Sequence, residues 1–144
     1  MEKVQQISIF AENKPGRLDK VTEVLAENNI NILATAIVST TNGFGVIKFM
    51  VDKCDLALEK LRAAGFTASL SEVLAIEMKD RPGGLHEVVH ILSEKGINIE
   101  NASVYVAESR KKAYLLVEVK DIEKALQKLK NSGLTFLGAE SKAR

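Results

Sequence analysis

Apolar positions along the first half of the chain change period from one segment to the next. Val4 to Phe10 places Ile7 and Ile9 on one side and Ser8 on the other, the two-residue period of a strand. From Arg17 to Asn28, Leu18, Val21, Val24 and Leu25 recur three and four apart. Arg17, Asp19, Lys20 and Glu23 fall between them, which predicts a helix with one buried stripe. Asn31 to Thr40 is a β-branched run and hence a strand. Thr41-Asn42-Gly43 carries the hairpin dipeptide Asn-Gly, and Gly45 to Val51 returns as its partner with Ile47, Phe49 and Val51 on one face. A second helix starts at Asp52, buries Ala57, Leu58 and Leu61, and ends at Gly65; Phe66 to Leu70 closes the series. The order is β-α-β-β-α-β.

The series then repeats over Val73–Met78, Gly83–Lys95, Ile97–Ala107, Ala113–Lys120, Asp121–Asn131 and Leu134–Leu137. Asn13–Ile32 laid on Asp80–Ile99, 67 positions on, agrees at nine of twenty residues. Most matches are stripe residues, but Pro15/Pro82, Gly16/Gly83 and Asn31/Asn98 are not core types and need another reason. From the third strand onward the offset is 68, pairing Cys54 with Ile122, Leu58 with Leu126 and Gly65 with Gly133. Two modules are therefore expected, residues 1–70 and 71–144, each a four-stranded antiparallel sheet with two helices on one face. Ser69-Leu70-Ser71-Glu72 contains no Gly or Pro that would make a flexible joint. The modules are expected to pack as a pseudo-dimer, because units of some 70 residues bury only ~60% of their surface alone. Ser141–Arg144 is expected to fray.

Composition narrows the function. A hydrophobic share of 46%, a charged share of 27% and a net charge of +1 describe a globular chain with no field to attract nucleic acid or an acidic membrane. Apolar runs are too short to span a bilayer, and the opening residues do not form a signal peptide, so a cytoplasmic protein is expected. The single cysteine, Cys54, excludes an internal disulfide and a cysteine metal cluster.

The candidate chemistry lies in the turn Asn13-Lys14-Pro15-Gly16-Arg17-Leu18. A helix start leaves N–H groups without partners and carries the positive end of the dipole, which suits a carboxylate. Gly16 allows close approach, Pro15 gives up an N–H the helix start does not need, and Asn13 and Asn31 offer uncharged donors and acceptors. The second copy offers Asp80, Pro82, Gly83, Gly84, Leu85 and Asn98. The bland alternative is that Pro-Gly shapes a turn and the asparagines finish helices.

The pattern Asn-x-Pro-Gly-x-Leu, a helix and then Ile-Asn-Ile, present twice in β-α-β-β-α-β order, resembles the ACT domain, the regulatory module of many enzymes of amino-acid metabolism. The resemblance covers essentially the whole chain and implies an α+β, ferredoxin-like βαββαβ fold in two tandem copies. It implies a stand-alone, non-enzymatic regulatory protein that binds a free amino acid at an interface between modules, without catalytic residues, metal or cofactor, and as a homodimer or higher. In the family's serine-responsive dehydrogenases the ligand meets the turn's Asn and the Asn before the second strand, which match Asn13 and Asn31. A histidine those enzymes use is Ala11 and Met78 here, which puts serine in question, and Asp80 in the second turn would repel a carboxylate. The first turn is the better candidate. The alternative is a regulatory subunit acting on an amino-acid-biosynthetic enzyme, as the acetolactate synthase small subunit does, without a ligand of its own.

Two rival signals are weaker. His86-Glu87-Val88-Val89-His90 spells H-E-x-x-H, but both histidines fall beside the apolar stripe on the polar face and no third ligand follows. Phe44, Phe49, Tyr105 and Tyr114 sit on strands as RNA-stacking aromatics do, without the basic and glycine-rich signature that accompanies them. Cys54 reads as an apolar filler, and Arg110-Lys111-Lys112 as a solvated hairpin tip.

Overall fold

The structure, a computed structural model, describes residues 3–40 and 42–137. Thr41 of the predicted hairpin and the predicted tail Ser141–Arg144 lie outside the described residues. The chain forms two compact units, one of Gln5–Ser71 and one of Glu72 onward that also takes in the described residues before Gln5.

The first unit contains β1 (Lys3–Glu12), α1 (Arg17–Glu27), β2 (Ile32–Ser39), β3 (Phe44–Val51) and α2 (Cys54–Ala63), followed by the start of β4 (Thr67–Lys79). Its strands run in the order β2-β3-β1-β4. The register sets Ile7 opposite Phe49 and Ile9 opposite Ile47, so the two-residue period of both strands directs these four side chains to one face. Val21, Val24 and Leu25 of α1 and Ala57 and Leu61 of α2 meet them there, and all are buried. Each large side chain withdrawn from water contributes about 1.5–3 kcal/mol, so this cluster is the main source of the unit's stability.

The second unit repeats the plan with the end of β4, α3 (Gly84–Glu94), β5 (Asn101–Glu108), β6 (Lys112–Glu118) and α4 (Ile122–Lys128). Leu74 faces Val117 and Ile76 faces Leu115, and these pack with Val88, Leu92, Ala125 and Leu129.

Three expectations are corrected. The strands expected at Phe66–Leu70 and Val73–Met78 are one unbroken strand, β4, because nothing in Ser69–Glu72 interrupts an extended backbone. The strand expected over Leu134–Leu137 is reduced to a single bridge, Ile76 with Phe136, supported by Glu77 N–H donating to Thr135. The strand expected from Ile97 starts only at Asn101; Ile97–Glu100 is a loop whose one rung is Glu100 N–H to the Glu118 carbonyl.

Both first-turn helices are capped by a glycine in the left-handed region, Gly16 at φ 91° and Gly83 at φ 85°, with no side-chain cap. The next residue distinguishes the copies. A Cβ at Gly84 would stand 1.9 Å from the Lys79 carbonyl oxygen, whereas the equivalent position in the first unit carries Arg17. A Cβ at Gly16 would meet nothing within 4 Å, so Gly16→Ala should cost only the left-handed penalty of about 1–2 kcal/mol. Gly84→Ala must move backbone and should cost more, about 2–4 kcal/mol. Chemical denaturation of both variants checks this; equal losses would contradict the close approach.

Candidate functional site

The first turn sits where three elements converge. Asn13 follows β1, and its backbone N–H donates to the Gly43 carbonyl at 2.8 Å, which fixes the turn against the β2–β3 hairpin. Its side-chain Nδ2 donates to Ser39 Oγ at 3.0 Å, at the far end of β2. Gly45 lies opposite Ser39, and a Cβ there would stand 3.2 Å from the Val38 carbonyl oxygen and 3.9 Å from the Asn13 Cβ. Arg17 N–H donates to the Lys14 carbonyl and Lys20 N–H to the Gly16 carbonyl. The N–H groups of Leu18 and Asp19 have no acceptor among the described residues, as the opening of a helix dictates.

A cleft of about 140 Å³ opens here between Asn13, Arg17, Leu18, Ile37, Ser39 and Ile47. That is the volume of roughly four or five waters, the scale of a small amino acid. Its rim is apolar, with Leu18 39% and Ile37 50% exposed. Glu12 reaches Lys14 at 3.3 Å and Arg17 at 3.6 Å. Both pairs are half-exposed and worth little, so an incoming carboxylate can compete with Glu12 for either cation. Arg17 also borders a wider groove of about 440 Å³ beside the stacked rings of Phe10 and Phe44, whose centroids are 5.1 Å apart.

Asn31 is not in this cleft. Its backbone N–H donates to Asp52 Oδ1 at 3.0 Å and its carbonyl accepts from Asp52 N–H, at the start of β2. Asn13 is anchored at the other end of that strand, roughly 25 Å away at a strand's ~3.3 Å per residue. One small ligand cannot touch both asparagines of one unit.

The second turn is built differently. The Lys79 carbonyl presses on Gly84, and Asp80 Oδ2 accepts the backbone N–H of Arg110 at 2.6 Å. Arg110 is left-handed at φ 64°, so Asp80 holds the strained tip of the β5–β6 hairpin. Arg81 pairs with Glu87 at 2.6 Å, and Leu85 is exposed as Leu18 is. Asn98 faces a groove of about 720 Å³ beside α4.

His86 and His90 lie on the exposed side of α3 with ring centroids 5.5 Å apart; His90 Nε2 is 3.1 Å from Glu94. Among the described residues no three His, Cys, Asp or Glu side chains converge as metal ligands. Cys54 Sγ faces the Gln5 carbonyl at 3.6 Å, and burial raises its pKa, which opposes thiolate chemistry. No helix among the described residues is long and apolar enough to cross a membrane.

Glu12, Ser39 and Gly45 were not singled out by sequence reasoning. The hairpin carried a signal for the last two: a turn centred on Asn42 puts Ser39 opposite Gly45, beside the residue that follows β1.

The chain belongs to the ACT domain pair family, whose family model matches residues 2–143. Each unit is an ACT domain in βαββαβ order. The chain is similar to protein BT0572 from Bacteroides thetaiotaomicron, with 33% identity, a TM-score of 0.82, and 94% of this chain and 92% of that one covered. It shares its fold with the ligand-free regulatory subunit of aspartate kinase from Thermus thermophilus, at 21% identity and a TM-score of 0.63 over 90% and 92% of the two chains. The aspartokinase alpha and beta subunits align at 23% identity and a TM-score of 0.55, over 90% and 95%. No curated protein matches the chain.

The Asp80 contact can be tested directly. Asp80→Ala should destabilise the protein by about 1–2 kcal/mol, because a hairpin N–H loses a charged acceptor. Asp80→Asn, which restores the first copy's residue, should recover much of the loss through its amide oxygen. Denaturant midpoints compare the three proteins, and an unchanged Asp80→Ala midpoint would show that the hairpin tip does not rely on it.

Proposed function

We propose that this protein is a non-enzymatic, cytoplasmic regulator that binds a free amino acid at the first turn. The observation that carries the reading is a cleft of about 140 Å³ lined by Asn13, Arg17 and Leu18, at a helix start where the N–H groups of Leu18 and Asp19 have no acceptor among the described residues. The ligand's carboxylate takes these N–H groups and displaces Glu12 from Arg17; Asn13 Oδ1, which accepts from none of the described residues, takes its ammonium. The exposed Leu18 and Ile37 leave the cleft open on one side. A second copy of the chain covers that side and brings Asn31 to the ligand, which the separation of Asn13 from Asn31 requires. Occupancy then selects one arrangement of the copies, by no more than the ligand's differential affinity for the arrangements.

A second reading draws on the regulatory subunits of aspartate kinase that share the fold. Here the chain regulates an enzyme of amino-acid metabolism by contact, with no ligand of its own. Thermal denaturation in the presence of each of the twenty amino acids separates the two. One or a few should raise the midpoint, and Asn13→Ala should weaken that ligand by roughly 5- to 150-fold, the equivalent of 1–3 kcal/mol. No shift with any amino acid, together with capture of a biosynthetic enzyme, would favour the second reading.

A further inference from the structure

The two units treat the loop between the first helix and the next strand in opposite ways. In the first unit the Asn31 N–H is met by the chain's own carboxylate, Asp52 Oδ1, at 3.0 Å. Beside it, Lys53 Nζ donates to the Asn29 carbonyl at 2.8 Å. The loop is closed.

In the second unit the matching residues are Asn98 for Asn31 and, at the offset of 68, Lys120 for Asp52. The carboxylate is replaced by a cation. The Asn98 N–H has no acceptor among the described residues. The space that Asp52 fills in the first unit is here part of a groove of about 720 Å³. Lys120, Lys124 and Lys128 line it, Lys124 and Lys128 one turn apart on α4 and Lys120 in the segment just before the helix, and none has an ion-pair partner among the described residues. The Lys128 Nζ stands 3.8 Å from where a Cβ on Gly96 would be, so it leans over the loop. Glu100 and Asp121 also border the groove, but Asp121 is engaged, accepting the Lys124 N–H at 3.1 Å.

We propose that this groove binds a small dicarboxylate, one carboxylate of which stands where Asp52 stands in the first unit. That carboxylate accepts the Asn98 N–H beside Lys120. The other lies along Lys124 and Lys128. Two carboxylates answer the arrangement because Lys124 and Lys128 stand a turn apart along α4 while Lys120 stands ahead of the helix beside the loop, beyond the reach of one anionic group. The site is separate from the first turn and does not depend on the reading above.

Calorimetric titration of the full chain with succinate, acetate and inorganic phosphate tests it. Succinate should bind more tightly than acetate or phosphate. Lys120→Asp rebuilds the first unit's internal carboxylate and should weaken succinate by about tenfold or more, the cost of a competing charged hydrogen bond. Lys124→Gln, an exposed change that leaves the core intact, should also weaken it. Succinate binding that survives both substitutions would overturn the proposal, as would equal affinity for phosphate, which would mark only a general basic strip. Loss of succinate binding in Asn13→Ala would place the dicarboxylate at the first turn instead and overturn it as well.

Discussion

The join between the first strand and first helix of each unit requires a residue near φ +90°, and glycine supplies it at Gly16 and at Gly83. This one backbone constraint sets the direction in which the helix leaves the sheet. It thereby determines which side of α1 meets Ile7, Ile9, Ile47 and Phe49. It also removes the usual Ser, Thr or Asp cap, so the helix opens without a side chain to take its first N–H groups. A turn chosen for its geometry thus leaves an unfilled demand for an acceptor. The regulatory family to which the chain belongs is built on a fold that presents this demand once per domain.

Duplication let the two copies answer similar demands in different ways. At both turns the opening N–H groups of the helix, Leu18 and Asp19 in one and Leu85 and His86 in the other, have no acceptor among the described residues; the turns differ in that the Lys79 carbonyl approaches Gly84 and Asp80 is tied to the hairpin. At the next loop the order reverses. Asp52 closes the first unit, and Lys120 leaves the second one open. The first unit therefore closes its loop with its own carboxylate, and the second commits its turn carboxylate to the hairpin. The proposed amino-acid site and the proposed dicarboxylate site lie where these internal carboxylate contacts are absent among the described residues.

Periodicity and the repeat made the fold legible, because Val21, Val24 and Leu25, and their counterparts Val88 and Leu92, are where a helical stripe requires them to be. What failed depends on contacts that no local pattern encodes. Phe66–Leu70 and Val73–Met78 each read as a strand, yet whether the backbone bends between them depends on what both ends pair with. Leu134–Leu137 has the composition of a strand but makes a single bridge. At the site, Pro15, Gly16 and Asn13 were evident from residue type. The engagement of Asp80 with Arg110 was hidden, because it joins residues 30 apart across a hairpin. The separation of Asn13 from Asn31 follows only once β2 is known to lie between their anchoring points.

Selective carboxylate binding at the first turn rests on Arg17 and the cleft beside it, because the Leu85 and His86 N–H groups at the second turn also lack an acceptor among the described residues but stand next to the Asp80 carboxylate. An amide-resolved NMR titration with the amino acid that raises the denaturation midpoint tests this most directly. The N–H resonances of Leu18 and Asp19 should move with saturation while those of Leu85 and His86 stay in place. Equal movement at both turns, or movement at the second alone, would contradict it.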